Sequence, residues 1–225
     1  MVIDNHFIVQ NSLMRLDHVS YVASHDQISD VVNRIGSQIG TAFIDGGIHP
    51  KFGTRNFTAP LLNGQYIEVV CPLEHPATDT TPFGQAVKNK ADAGGGWLAW
   101  VLATENISSL EEKFGRKAVE GQRKKPDGSI LQWKQLGVLE ILKDSQQPFY
   151  IEWLSKKHPS DDGNAHASLQ ELFIIEPKLA GVKTFPQFEI ENLQNTKITF
   201  ISSENKPFGI SEICFETNGK KVLID

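Results

Sequence analysis

Cysteine is nearly absent from this sequence. Its two copies, Cys71 and Cys214, stand far apart and form no CxxC pair, so neither a disulfide framework nor a structural zinc knuckle is encoded. Basic charge is also short, with 22 Lys and Arg against 27 Asp and Glu for a net charge of −5. That leaves no surplus to neutralise phosphates, which excludes nucleic acid as a partner. The one dense basic run, Arg123-Lys124-Lys125, leads into a turn signal, Pro126-Asp127-Gly128. No apolar run reaches the length of a membrane span, and "MVIDNHFIVQNSLMRLDHV" has neither the basic start nor the continuous apolar core of a leader. A reducing cytoplasm without membrane contact is therefore expected. A GxxxxGK[ST] loop, an HExxH and a GxSxG are missing too, which removes the nucleotide, zincin and serine-hydrolase readings.

What is present is a pattern that occurs twice. "LDHVSYVA" reads as a strand, and Ile28, Val31, Val32, Ile35 and Ile39 then recur at helical spacing up to Gly40. Ser24 or Asp26 is available as that helix's N-cap. Pro50, Gly53, Pro60 and Asn63-Gly64 break the next stretch into short strands, ending in the Tyr66–Val70 strand. A linker helix follows, with Thr81 as N-cap, Pro82 in its first turn and Gly94-Gly95-Gly96 as its stop. "GWLAWVLA", a helix carrying Ile107, Leu110 and Phe114, and a hairpin about Pro126-Asp127-Gly128 repeat the order, closing on Tyr150-Ile151-Glu152. The predicted architecture is α+β. It comprises an extension or edge strand over 1–13, two strand-helix-three-strand (βαβββ) units over 14–93 and 94–166, and a β-rich appendix over 167–225 with room for a partial third unit.

The two copies share more than their order. Tyr66-Ile67-Glu68 returns as Tyr150-Ile151-Glu152, and each is followed by His-Pro, at 75–76 and 158–159. A carboxylate inside an apolar strand needs a cation, a metal or a proton. Arg55, Arg123 and Lys134 are the candidate ion-pair partners. "LDHVSYVA", "GGIHPKFGTRNF", "YIEVVCP" and "PFYIEWL" with its His-Pro together resemble the glyoxalase-like subfamily of the vicinal-oxygen-chelate superfamily, over residues 14–175. The resemblance implies that each unit's sheet curls into half of an open barrel around a cavity. It also implies that a divalent metal ion is held there by His18, Glu68 and Glu152, with Glu68 and Glu152 as catalytic carboxylates. The fourth ligand is lacking, because aligning the opening strands sets Trp97 opposite His18.

Around that site, His49, Thr54 and Asn56 in "HPKFGTRNF", with Trp97 and Trp133, are the candidate ligand-binding residues. His49 as a solvated edge residue, His18 bonded to a neighbouring carbonyl, and tryptophans in plain core packing are the alternatives. "HPSDDGNAH" has the composition of a solvated loop. Two functions follow, a metal-assisted lyase or isomerase and a metal-free small-molecule binding or sequestration protein. An extradiol oxygenase would need a second histidine where Trp97 stands. The expected partner is a small molecule, and a homodimer is left open.

Overall fold

The computed structural model describes residues 14–142, 146–176, 193, 196–203 and 205–225. The expected edge strand within 1–13 lies outside the described residues. The first unit runs β1 (Arg15–Val22), α1 (Ile28–Ile39), β2 (Ile44–His49), β3 (Thr54–Leu61) and β4 (Gln65–Pro72). Two helices then connect, α2 (Pro76–Thr80) and α3 (Pro82–Asp92). The second unit runs β5 (Gly96–Ala103), α4 (Ser108–Phe114), β6 (Val119–Lys124), β7 (Ile130–Leu136), α5 (Val138–Ile141) and β8 (Phe149–Trp153).

Local chemistry accounts for these boundaries. α1 buries Ile28, Ile35 and Ile39 and stops at Gly40, whose left-handed φ of 70° frees the chain to turn. It begins at Gln27 with no side-chain cap, so neither Ser24 nor Asp26 takes that role. α3 starts as its sequence dictates, with Thr81 accepting a hydrogen bond from the Gly84 N–H and Pro82 in the first turn. The two His-Pro pairs prove to be one device used twice. His75 Nδ1 accepts from the Ala77 N–H at 3.1 Å, and His158 Nδ1 from the Ser160 N–H at 3.2 Å, each opening a short helical turn.

The eight strands of the two units form a closed barrel, β1-β4-β3-β2-β6-β7-β8-β5. It was expected to be open. β1 runs parallel to β4 and β5 to β8, while β1 pairs antiparallel with β5 along its length. On the far side a short contact, Ile48 opposite Lys124, joins β2 to β6 and completes the ring.

The remaining strands, β9 (Ala167–Glu176), β10 (Lys197–Ser202), β11 (Gly209–Thr217) and β12 (Lys220–Ile224), form a separate sheet in the order β10-β9-β11-β12. This is no third unit. In both barrel units the first strand pairs in parallel with the last, whereas among the described residues β12 pairs with β11 alone. The sheet lays Leu169, Leu172, Ile213, Phe215 and Ile224 over Val19, Trp97, Trp100 and Leu102 on the outer face of β1 and β5. Each of these large side chains, fully buried, contributes on the order of 1.5–3 kcal/mol.

Register decides what faces inward. His18 lies opposite Tyr66 on β1 and β4, and Val101 lies opposite Phe149 on β5 and β8. The units therefore correspond at an offset of 83 residues, the offset of the two His-Pro pairs, and not at the 84 of Tyr-Ile-Glu. Because side chains alternate between faces, that single residue turns the second Tyr-Ile-Glu inside out. The counterpart of His18 is Val101 rather than Trp97, and the counterpart of Glu68 is Ile151.

Candidate functional site

Two layers of polar side chains from the first unit meet an apolar wall from the second inside the barrel. His18 and Ser20 come from β1, His49 from β2, Asn56 from β3, and Tyr66 and Glu68 from β4. Trp133 and Gln135 of β7 and Phe149, Ile151 and Trp153 of β8 face them, with Arg123 of β6 between the halves and Phe52 and Phe83 dividing this space from a second pocket. The free space among them is about 30 Å³, room for a water molecule or two. A groove of about 1110 Å³ beside α2 is far larger, but it is an open surface whose Asp79 and Lys88 already pair with each other at 2.5 Å.

Glu68 is buried with both carboxylate oxygens engaged. Asn56 Nδ2 donates to Oε1 and Ser20 Oγ to Oε2, each at 2.7 Å. Burial works to raise its pKa, and the imidazoles of His18 and His49 with these two hydrogen bonds outweigh it, holding the carboxyl below the ordinary range. The Arg123 guanidinium does not reach Glu68 directly. Its Nη1 donates to the Gly46 carbonyl and to Asn56 Oδ1, so that Asn56 separates cation from carboxylate. Gly46 makes this approach feasible, since a Cβ there would fall 2.1 Å from Nη1 and 2.1 Å from Asn56 Oδ1.

His49 is 3% exposed and bonds Thr54 Oγ1 through Nδ1 at 3.0 Å. Burial, more than the opposing pull of Glu68, drives its pKa down to about 4, so the ring is neutral at pH 7. That makes the hydrogen bonds of Ser20 and Asn56 the dependable part of the balance at Glu68. A consequence for stability follows. The unfolded chain takes up a proton at this histidine near pH 6.5 and the folded chain only near 4. Stability must then fall as pH drops through that window, by about 3 kcal/mol in total. His49→Gln should flatten the melting-temperature profile between pH 6.5 and 4, while an unchanged slope would show that His49 protonates freely in the fold.

Simple alternation along β1 would set Asp17 on the face opposite His18. A β-bulge changes this: Leu16 pairs with Leu102 and His18 with Val101, leaving Asp17 as the extra residue. Its carboxylate, wholly buried, accepts from Arg15 and His18 Nδ1 at 2.9 Å and from Trp153 Nε1 and His158 Nε2 at 3.1 Å. Because His158 Nδ1 accepts from the Ser160 N–H, the proton shared with Asp17 sits on Nε2. Burial pushes the Asp17 carboxyl up, but the bonds from His158 and His18 overcome it and hold it far below the usual range. The His158 loop is thus tied to β1, and Lys125 fastens it again through Asp162 at 2.6 Å.

The expected metal set does not assemble. His18 and Glu68 share the interior, but Glu152 points out of the barrel and accepts from the Ile107 N–H at 3.0 Å, before α4. The positions that would supply ligands from the second unit hold Val101 and Ile151. His18 Nδ1 and both Glu68 oxygens are already bonded within the protein. Among the described residues no group of three or more His, Cys, Asp and Glu is placed to hold a metal ion. These residues do not fit the ion that the resemblance implies.

Of the candidate ligand-binding residues, His49, Asn56 and Trp133 line the space, and Thr54 lies behind His49. Trp97 does not; it faces outward under the C-terminal sheet, where its Nε1 donates to the Ile224 carbonyl at 2.9 Å. The sequence pattern gave no role to Ser20, Gly46, Gln135 or Phe149, set His158 in a solvated loop, and offered Arg123 with Arg55 and Lys134 as candidate ion-pair partners of the two glutamates. The Gly46-Gly47 pair inside a strand was the available signal of a close approach.

The family model of the glyoxalase-like domain matches residues 16–185. No curated protein matches the chain. Among solved structures it is similar to a hypothetical protein from Staphylococcus aureus, at 14% identity and a TM-score of 0.55, over 93% of this chain and 84% of that one. It is similar also to methylmalonyl-CoA epimerase from Mycobacterium tuberculosis, at 12% identity and a TM-score of 0.43, over 65% and 92%. The Streptomyces coelicolor methylmalonyl-CoA epimerase in complex with 2-nitronate-propionyl-CoA gives 14% and 0.42, over 64% and 100%. Among the described residues no helix is long and apolar enough to cross a membrane. With paired βαβββ units closing one barrel and a family match over most of its length, the chain belongs to the glyoxalase-like domain family of the vicinal-oxygen-chelate superfamily.

Proposed function

We propose that this protein binds a small amphipathic molecule inside the barrel without a resident metal ion. The observation that carries this reading is the donor set. The second unit offers only carbon at the two positions that mirror His18 and Glu68, and each Glu68 oxygen already accepts a hydrogen bond, from Ser20 or Asn56. What remains is a pocket with polar groups on one side and aromatic rings on the other, the arrangement that orients a small ligand. Entry of an organic molecule requires buried rings to move, and Phe52 and Phe83, which also border a second pocket, meet edge to face at 5.8 Å.

The four tryptophans supply the test. Trp133 and Trp153 line the space, whereas Trp97 and Trp100 donate to the backbone carbonyls of Ile224 and Gln146. In a ¹⁵N-labelled sample, neutral butyramide or benzyl alcohol should shift the indole signals of Trp133 and Trp153 and leave the other two in place. Treatment with a chelator should move none of them. Absence of any shift, or shifts confined to Trp97 and Trp100, would overturn the reading, and so would a chelator that moves Trp153.

A further inference from the structure

Arg123 is 2% exposed, and among the described residues no carboxylate lies within ion-pair distance of it. Its Nη1 bonds are to two neutral acceptors, the Gly46 carbonyl and Asn56. Nε and Nη2 donate to no group among the described residues and neither is a buried orphan, while Arg123 lines the free space. A desolvated cation with an open planar edge calls for a planar anion. Its surroundings are built for one. Trp133 Nε1 donates to Gln135 Oε1 at 3.0 Å, which leaves the Gln135 amide N–H groups as donors. His49, neutral through burial, brings no negative charge. Glu68 is held off the guanidinium by the Asn56 amide, which donates to Glu68 Oε1 and accepts from Arg123 Nη1.

We infer that the barrel's ligand is a short-chain monocarboxylic acid, bound as the anion, with its carboxylate on Arg123 and its carbon chain among Phe52, Phe83 and Phe149. Arg123 is the one Lys or Arg among the residues lining the space, so a phosphate dianion would lack a second cation. Because the free space now holds only a water molecule or two, even a chain of a few carbons needs the surrounding rings to move. This inference rests on the metal-free cavity proposed above and adds the chemistry of what fills it.

Butyrate and butyramide have nearly the same shape and differ in charge, so they separate the two ideas. Their affinities would be read from the titration of the Trp133 indole signal at neutral pH. Butyrate should bind about tenfold to a hundredfold more tightly than butyramide, the size of one charge-assisted hydrogen-bonded contact. Arg123→Gln should reduce that ratio to near one by weakening butyrate alone. Equal binding of acid and amide to the wild-type protein would overturn the anion inference and leave the cavity reading standing; failure of both to bind would overturn the two together. A preference that persists in Arg123→Gln would assign it to another group and overturn the role of Arg123. If that variant does not fold, the wild-type ratio alone decides whether the ligand is an anion.

Discussion

Asp17→Asn should lower the melting temperature by roughly 6–12 °C at neutral pH, which corresponds to about 3 kcal/mol in a chain of this size. The Asp17 carboxylate receives Arg15, His18, Trp153 and His158. An amide has one acceptor oxygen and turns two N–H groups toward donors that cannot receive them. The pH dependence carries a second signature. The folded-state pKa of Asp17 lies below the unfolded value, so its contribution is present above about pH 4 and is lost as acid is added. The variant should lack this acid-side loss, so its melting-temperature profile should run parallel to wild type above about pH 4 and converge on it as acid is added. A neutral-pH melting temperature within about 2 °C of wild type would show that the four donors find water as readily as the carboxylate.

Strand order and the two-unit plan could be read from the sequence because they rest on turn residues and hydrophobic periods, which are local. The site could not, because it depends on phase. Glu152 looked like a second Glu68 until pairing set the strands one residue apart, and two offsets, 83 for His-Pro and 84 for Tyr-Ile-Glu, stood side by side in the sequence without a way to choose. Asp17 was hidden for a related reason, since a bulge is a property of two strands together and leaves no mark in either one. Trp97 was misplaced because nothing local reveals that a sheet more than a hundred residues later will cover its strand. His49, Asn56 and Trp133 do line the space inside the barrel, His49 beyond a register shift at Gly46 in β2.

Gly46→Ala should cost near the upper end of the overpacking range, about 3 kcal/mol. Its φ is not in the left-handed region, so backbone strain plays no part. The new methyl collides with Arg123 Nη1 and Asn56 Oδ1. Gly47, with φ of 96°, would suffer from backbone conformation and from the Lys124 carbonyl instead. The two mechanisms separate in a double-mutant cycle. Adding Arg123→Ala to Gly46→Ala should recover part of the lost stability in urea denaturation, and adding it to Gly47→Ala should recover none. Equal non-additivity in both pairs would mean that the guanidinium does not press on Gly46.

The hydrogen bond from Trp97 to the Ile224 carbonyl spans 127 residues, and on a growing chain that separation is a delay. At a synthesis rate of about 5–20 residues per second, roughly 6–25 s pass between the appearance of the indole and that of its acceptor. For that interval the outer seam of β1 and β5, with Trp97 and Trp100, has no sheet to cover it. The barrel's two halves can pair early, but the nascent protein carries an uncovered aromatic surface until β12 arrives. Its yield in the cell is then governed by whatever shields that surface in the meantime.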